Sequence, residues 1–392
     1  MSATVALARC TSYDPGRVQQ AMERVLDLAG GIAAWARPGD RVLLKPNVLL
    51  AAPPERAVCT HPEVLRAAIR ALRAFGCRPV VAEQPGIGAL QSARRALEVS
   101  GILGVCREEG VDCRLFREKG FSPVPLPAGK QVREVMLPRE LQEADHVVSL
   151  AKVKSHMQAA YTGAIKNFYG AIPFRQRKQI HALAKYVRFS EGIVDVFQAV
   201  RPRFGILDGI LGMEGRGPSA GKPRLLGLLM ASTDLVALDR IALAAVGWDG
   251  LRVRHVEDAA ARGLGIADVR RIRVAGERLD DVRVPFALPP TAFRNPPRFL
   301  LDTLYNLWSI KPLVIREKCT ACSTCVAACP AGAIRLDDAP RAVIDYDRCI
   351  ECFCCHELCP SDAVTEKQSS LKAVLSRLRR AIRPLPSDAD RS

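Results

Sequence analysis

The segment Cys-Thr-Ala-Cys-Ser-Thr-Cys-Val-Ala-Ala-Cys-Pro that begins at Cys319 recurs as Cys-Ile-Glu-Cys-Phe-Cys-Cys-His-Glu-Leu-Cys-Pro from Cys349. Each copy has the spacing Cys-x2-Cys-x2-Cys-x3-Cys-Pro. Three thiols so close in sequence turn around one centre, and the fourth is carried past it. That geometry suits three corners of a [4Fe-4S] cube, with the fourth cysteine of each run ligating the other cube. The pattern predicts two [4Fe-4S] clusters, one on Cys319, Cys322, Cys325 and Cys359 and the other on Cys349, Cys352, Cys355 and Cys329. Zinc knuckles would need separated Cys-x2-Cys pairs, which a tandem four-cysteine run followed by proline does not resemble. Cys354 falls outside both sets. Its repeat partner is Thr324, which cannot replace a thiolate, so Cys354 reads as a packed free thiol.

Of the 14 cysteines, nine fall between Cys319 and Cys359, a clustering unlike a disulfide scaffold. The start Met-Ser-Ala-Thr-Val-Ala-Leu-Ala-Arg has no basic stretch followed by a long apolar one, and no segment approaches the ~18 apolar residues of a membrane span. The expected location is the cytoplasm. The region Cys319 to Val364 resembles the bacterial two-cluster ferredoxins, in spacing and in its two Cys-Pro junctions. The resemblance implies an electron wire but not where its electrons go; a low-potential electron donor or acceptor protein is the expected partner.

Ahead of the cysteines, short aliphatic runs alternate with segments of helical period, as in a mainly parallel α/β sheet wound on both faces. Strands are expected at 4–9, 41–45, 79–83, 112–116, 145–150, 203–207, 225–231 and 271–275. Helices fit 16–36, 62–75, 92–109, 191–201, 234–246 and 254–262, with Thr60 as a candidate cap for the second and Asp234 for the fifth. The expected organisation is an α/β body over 1–283, in one or two lobes, and a proline-rich connector with a helix over 284–311. A C-terminal α+β ferredoxin-like domain with two [4Fe-4S] clusters occupies 312–366, and a basic amphipathic tail 367–392. The tail sets Leu371, Val374, Leu375, Leu378 and Ile382 at helical spacing among basic residues. Docking on its own chain is favoured over binding a membrane surface.

With 57 Lys plus Arg against 41 Asp plus Glu, the formal net charge is +16. Only 5% of the chain is aromatic and no nucleic-acid motif is visible, so no nucleic acid is expected as partner. The basic residues are mostly arginine, yet lysine is kept at Lys45-Pro46-Asn47, Lys152-Val153-Lys154-Ser155-His156 and Lys166-Asn167. A lysine is a compact charge with a movable pKa, so its retention there points to an anion contact or to chemistry. Lys45 and Asn47, Glu83, Lys154 and His156, and Asp208 each stand at the end of an expected strand, and the carboxyl ends of parallel strands form the ligand crevice of open α/β sheets. Lys45, Lys154 and Lys166 are expected to hold negative charge, Asn47 and Asn167 to orient a substrate, and His156 to supply a proton. Asp208 and Glu214, in or beside a glycine-rich stretch that runs to Gly221, complete the candidate set. Gly86-x-Gly88-x-x-Gln91 lacks the third small residue of a dinucleotide loop.

At these residues the chain resembles the family called domain of unknown function 362, many of whose members carry a two-cluster ferredoxin at the C-terminus. The likeness rests on Lys45-Pro46-Asn47, on Lys154-Ser155-His156 with Thr162-Gly163-Ala164-Ile165-Lys166-Asn167, on Asp208-Gly209 through Gly217-Pro218, and on Ser232-x-Asp234-x-x-Ala237-x-Asp239. Ser155 stands where the family usually has threonine. The resemblance implies the fold but no reaction. Three readings stay open: an oxidoreductase passing single electrons from the clusters to an anionic or conjugated small molecule in the α/β cleft, an electron carrier whose body docks another enzyme, and a non-redox isomerase or lyase with structural or sensing clusters.

The cysteine pattern makes the first prediction. Anaerobic reconstitution should load about eight iron and about eight acid-labile sulfide per chain. Cys325→Ala should lose one cluster while Cys354→Ala keeps both, and equal iron loss in the two variants would overturn the ligand assignment.

Overall fold

The computed structural model describes residues 2–86, 93–116, 120–183, 186–291 and 310–368. The body is built on β1 (Ala3–Arg9), α1 (Pro15–Leu28), β2 (Arg41–Pro46), α2 (Pro62–Ala74), β3 (Arg78–Glu83), α3 (Ala93–Val99), α4 (Ile102–Glu108) and β4 (Cys113–Leu115). A hairpin of β5 (Phe121–Pro125) and β6 (Glu134–Pro138) and the short α5 (Arg139–Gln142) lead to β7 (His146–His156), β8 (Ala160–Thr162), α6 (Ala164–Asn167), α7 (Phe174–His181) and α8 (Tyr186–Val200). Then come β9 (Phe204–Glu214), β10 (Lys222–Ser232), α9 (Leu235–Ala245), α10 (Arg254–Ala261), β11 (Ile272–Gly276) and α11 (Leu279–Val282).

The main sheet has the order β11-β1-β10-β9-β7-β2-β3-β4, with β8 folded back on β7. It is mostly parallel; β10 runs antiparallel to β1 and β9, as β8 does to β7. Strand alternation splits the apolar residues into two cores. Leu43, Ala151, Val153, Leu207, Leu228 and Met230 face α8 and α9. Val42, Leu44, Val148, Leu150, Ile206 and Leu229 face α1 and α2. A sheet covered on both faces needs such doubly buried strands, the doubly wound arrangement that the sequence pattern implies.

The expected strands all appear, but β7, β9 and β10 are longer than their apolar runs. β7 continues through Lys152, Lys154 and Ser155, which are buried despite their polarity. The expected helix 16–36 stops at Leu28, because Gly30 and Gly31 take positive φ. The expected helix 92–109 is two helices broken at Gly101, with φ +78°. The cap of α2 is His61, whose Nδ1 accepts the Glu63 N–H, rather than Thr60. Thr60 instead ties β2 to β7, accepting from Asn47 N and donating to Leu150 O. Asp234 does cap α9, accepting from Ala237 N, and it also accepts from Ile266 N. Part of the expected connector lies on the body: Phe286 is buried in the first core and Ala287 N–H donates to Glu214. The rest of it, Gly88, Gln91 and the basic tail from 369 lie outside the described residues.

The cysteine module pairs β12 (Ile310–Val314) with β15 (Val364–Gln368) and β13 (Ile334–Leu336) with β14 (Ala342–Ile344). Two short helices, Thr324–Ala328 and Cys354–Glu357, complete it. It packs on the body through Phe353 against Met157 and through Leu358 beside Leu49. Arg56–Asp362 (3.0 Å) and Arg216–Glu366 (2.8 Å) bridge the rim.

One buried carboxylate fixes the turn that carries Lys166 and Asn167. Asp239 of α9 accepts the N–H groups of Ala164 (2.7 Å) and Ile165 (3.0 Å), and burial pushes its pKa up to about 7. A side chain at Gly163 would collide with that carboxylate. Asp239→Ala strands two buried N–H groups and should destabilise the body by ~3 kcal/mol. A fall in the urea midpoint at unchanged slope is the expected reading.

Candidate functional site

Lys45 ends β2, Glu83 ends β3, Lys154 lies in β7, and Lys166 and Asn167 lie on α6. These side chains, with Asn47, Thr162, Tyr169 and Arg177, line one cavity of about 70 Å³, completed by Cys354, Glu357 and Leu358 of the cysteine module. At ~10–15 Å³ per water, it accepts several waters or a small molecule.

The cations are buried and differ in how they are compensated. Lys45 Nζ lies 2.6 Å from Glu83 Oε2 and donates to Asn167 Oδ1 at 3.3 Å. Burial pulls the Lys45 pKa down and pushes that of Glu83 up, each opposed by the partner's charge. Asn167 is itself locked, donating from Nδ2 to Lys45 O and Ser149 Oγ, while Asn47 Nδ2 donates to its Oδ1. Arg177 donates to the carbonyls of Gly170, Ile172, Gln84 and Pro85. Among the described residues Lys154 donates only to Val58 O (2.7 Å), and burial pulls its pKa down to about 8. Lys166 Nζ stands 5.4 Å from the centre of the Tyr169 ring, with its pKa also pulled down by burial. Among the described residues neither Lys154 nor Lys166 has a carboxylate within ion-pair distance. Two such cations beside the unpartnered Thr162 Oγ1 form a site complementary to an anion.

Three expected site residues lie elsewhere. Asp208 is buried and does not line the cavity; it sits in a satisfied network, accepting from Lys152 Nζ and Tyr13 Oη, both at 2.8 Å, and from His61 N–H. Glu214 is at the far end of β9, where it accepts the Ala287 N–H and faces Arg224. Its role is to hold the 287 segment. His156 does not line the cavity. Its Nδ1 accepts the N–H groups of Gln158 and Ala159, which puts the ring proton on Nε2, 3.6 Å from Glu357 Oε2. Burial, with the nearby Lys166 charge, keeps the pKa well below the usual histidine value. The ring is therefore neutral and its contact with Glu357 is not an ion pair, so it locks a turn instead of donating a proton to a substrate. Arg177 on α7 and Tyr169 on the turn 168–171 escape sequence reasoning, because neither segment carries a signal that aims them inward, and Thr162, at the end of β8, enters it only through the family resemblance. Glu83 was readable as a strand end.

The cysteines form two further cavities. One is lined by Cys319, Cys322, Cys325 and Cys359, the other by Cys329, Cys349, Cys352 and Cys355, with Cys354 at its edge. Backbone N–H groups of Ala333 and Ala363 point at the sulfurs of Cys329 and Cys359, both at 3.2 Å, as suits thiolates. No three ligand-type side chains among the described residues converge closely enough for a single metal ion. Each quartet offers four thiols around one cavity, the donor set that a [4Fe-4S] cluster takes, and such a cluster when bound exchanges one electron at a time.

The fold and the cysteine module define an iron-sulfur protein with an α/β body. A 4Fe-4S dicluster domain matches residues 318–363. The chain belongs to the family described as Domain of unknown function (DUF362), which matches residues 42–244. It is 35% identical over 302 residues to a thylakoid-associated protein of Synechocystis sp., covering 74% of this chain and 92% of that one. Among solved structures, the lactate racemase apoprotein from Thermoanaerobacterium thermosaccharolyticum matches at 12% identity with a TM-score of 0.39, over 59% of this chain and 54% of the other. A Thermotoga maritima protein matches at 10% identity with a TM-score of 0.32, over 55% of each chain. The chain thus spans about half the length of both structures. No helix among the described residues is long and apolar enough to cross a membrane.

The Lys45–Glu83 pair gives a test of the charge balance. Glu83→Ala leaves a buried ammonium uncompensated and should cost about 3–5 kcal/mol. The double replacement Lys45→Met/Glu83→Leu should recover most of that loss, read as denaturation midpoints of the three proteins.

Proposed function

We propose that the protein is an oxidoreductase that holds two [4Fe-4S] clusters, one in each cysteine quartet, and passes single electrons to a small, conjugated organic anion in the lysine-lined cavity. The observation that carries this reading is a shared wall: Cys354 borders both the cavity of the second quartet and the cavity under Lys154 and Lys166. An electron leaving that quartet would enter the cavity without crossing bulk water. The first quartet offers the entry side, since Cys322 is exposed whereas Cys352 and Cys355 are buried. A low-potential donor protein would dock there.

The chain's own residues would do three things. Lys154 and Lys166 hold the anion and stabilise charge that grows as electrons arrive, an effect strengthened by exclusion of water. The Thr162 hydroxyl donates a hydrogen bond to it. Lys154, charged at neutral pH and with its pKa near 8, is suited to return a proton to the reduced product. Adding two electrons to a conjugated bond takes one from each cluster and two protons, the second from solvent.

The test uses the full chain, reduced anaerobically and freed of excess reductant. Mixing with a panel of 2-enoates and 2-oxo acids, and following cluster re-oxidation by absorbance, should reveal at least one acid that oxidises the protein. Lys154→Ala and Lys166→Ala, with full iron content, should slow that step by roughly 100-fold or more. Lys154 is protonated below its pKa, so the rate should be sustained below about pH 8 and fall as the pH rises through it. Should either variant with full iron match the parent, the cavity is not where the electrons go.

A further inference from the structure

The two cysteine loops are conformational copies. Ala321 and Glu351 take φ of 55° and 54°, and Ser323 and Phe353 both take 59°, left-handed values at four non-glycine positions. Each loop then enters a short helix whose first residue is Thr324 in one repeat and Cys354 in the other. These two residues therefore have the same backbone setting, one position before the third cysteine of each run. In the first repeat Thr324 Oγ1 lies 3.4 Å from Cys322 Sγ. A cluster-bound Cys322 has no proton to give, so the hydroxyl is the donor. In the second repeat the copied backbone places Cys354 beside Cys352 as Thr324 is placed beside Cys322, and both cysteines line the second quartet's cavity. Cys354 is 2% exposed and borders the second quartet's cavity.

We propose that Cys354 is neither a spare thiol nor an alternate ligand, but a built-in hydrogen-bond donor to the sulfur of Cys352 that sets the potential of the second cluster. Thr324 plays the same part for the first. A hydrogen bond to a ligating sulfur withdraws negative charge, and the reduced cluster carries one electron more than the oxidised one. The donor therefore stabilises the reduced form and raises the potential. A thiol is a weaker donor than a hydroxyl, so the pair of residues treats the two clusters unequally. The buried cluster beside the substrate cavity receives the weaker donor. Cys354 is thus a tuning residue and takes no part in the covalent chemistry.

This inference rests on the assignment of Cys329, Cys349, Cys352 and Cys355 to one cluster, and the experiment separates the two claims. Iron and sulfide content of anaerobically reconstituted Cys354→Ala and Cys354→Ser reports on the assignment. Redox titration followed by electron paramagnetic resonance reports on the tuning. With full iron in both variants, Cys354→Ala should lower the midpoint of one cluster, and Cys354→Ser, with its stronger donor, should hold or raise it. The order of potentials should be serine, then cysteine, then alanine. A tenfold change in the reduction equilibrium would appear as about 59 mV for a one-electron couple. Thr324→Val should lower the midpoint of the other cluster. Loss of about half the iron in Cys354→Ala would make Cys354 a ligand and overturn the inference. So would full iron with both midpoints unmoved, or with alanine above cysteine, the order that water entering the vacated space would produce.

Discussion

The structure depends on placing five cationic side chains, Lys45, Lys152, Lys154, Lys166 and Arg177, where water barely reaches them. Burial of a charge costs several kcal/mol unless it is paired, and the sheet solves the problem in three ways. Glu83 and Asp208, carried by β3 and β9, neutralise Lys45 and Lys152 directly. Arg177 gathers the carbonyls of a turn that would otherwise have lost their partners. Lys154 and Lys166 are left with a carbonyl and an aromatic ring, and Glu357 of the cysteine module supplies an opposing charge that acts on both of them. The body thus meets the module with an unbalanced positive interior, and a module loaded with thiolate-bound clusters carries the complementary sign.

How much of this could be read from the sequence depended on whether a residue's neighbours are local. The strands of the sheet were visible because Val42–Leu44, Val147–Leu150 and Leu228–Ala231 are apolar on both faces, the mark of strands covered twice. Their ends were misjudged where the apolar run stops and pairing goes on. Lys152, Lys154 and Ser155 read as a loop, yet β9 and β8 continue to pair with them. The convergence of Lys45, Asn47, Lys154, Lys166 and Asn167 followed from strand ends and from lysine kept in an arginine-rich chain. His156 and Glu214 carried equally suggestive sequence contexts. Their orientations are decided by the Gln158 and Ala159 N–H groups and by Ala287, partners that no spacing rule identifies. Arg177 was invisible for the opposite reason, since an arginine on a polar helix ordinarily faces solvent.

The cysteine module shows the same division. Its repeat is legible to the residue, because three sulfurs around one centre demand a fixed local spacing. Which body residues would meet it is not local at all. Gly86 is the clearest case: a side chain there would press on Leu49 O and on Leu358 of the module, so the absence of one permits the close approach of two distant parts of the chain.

On the proposed reading, that approach bears on why an electron wire should share a chain with its cleft. A diffusing carrier must dock and leave, so its contacts are small, wet and readily exchanged. Here Phe353 is buried against Met157 and Ile310, and the wall made by Cys354, Glu357 and Leu358 closes a cavity that the body alone would leave open. A wall of this kind excludes water only while it is seated. Joining the module to the body makes seating an intramolecular event, with an effective concentration that a separate protein would reach only at about millimolar levels. On the proposed reading, this continuity keeps the substrate dry while charge accumulates on it. It also assigns the exchangeable contact to the opposite, Cys322 edge of the module, where the first quartet meets solvent.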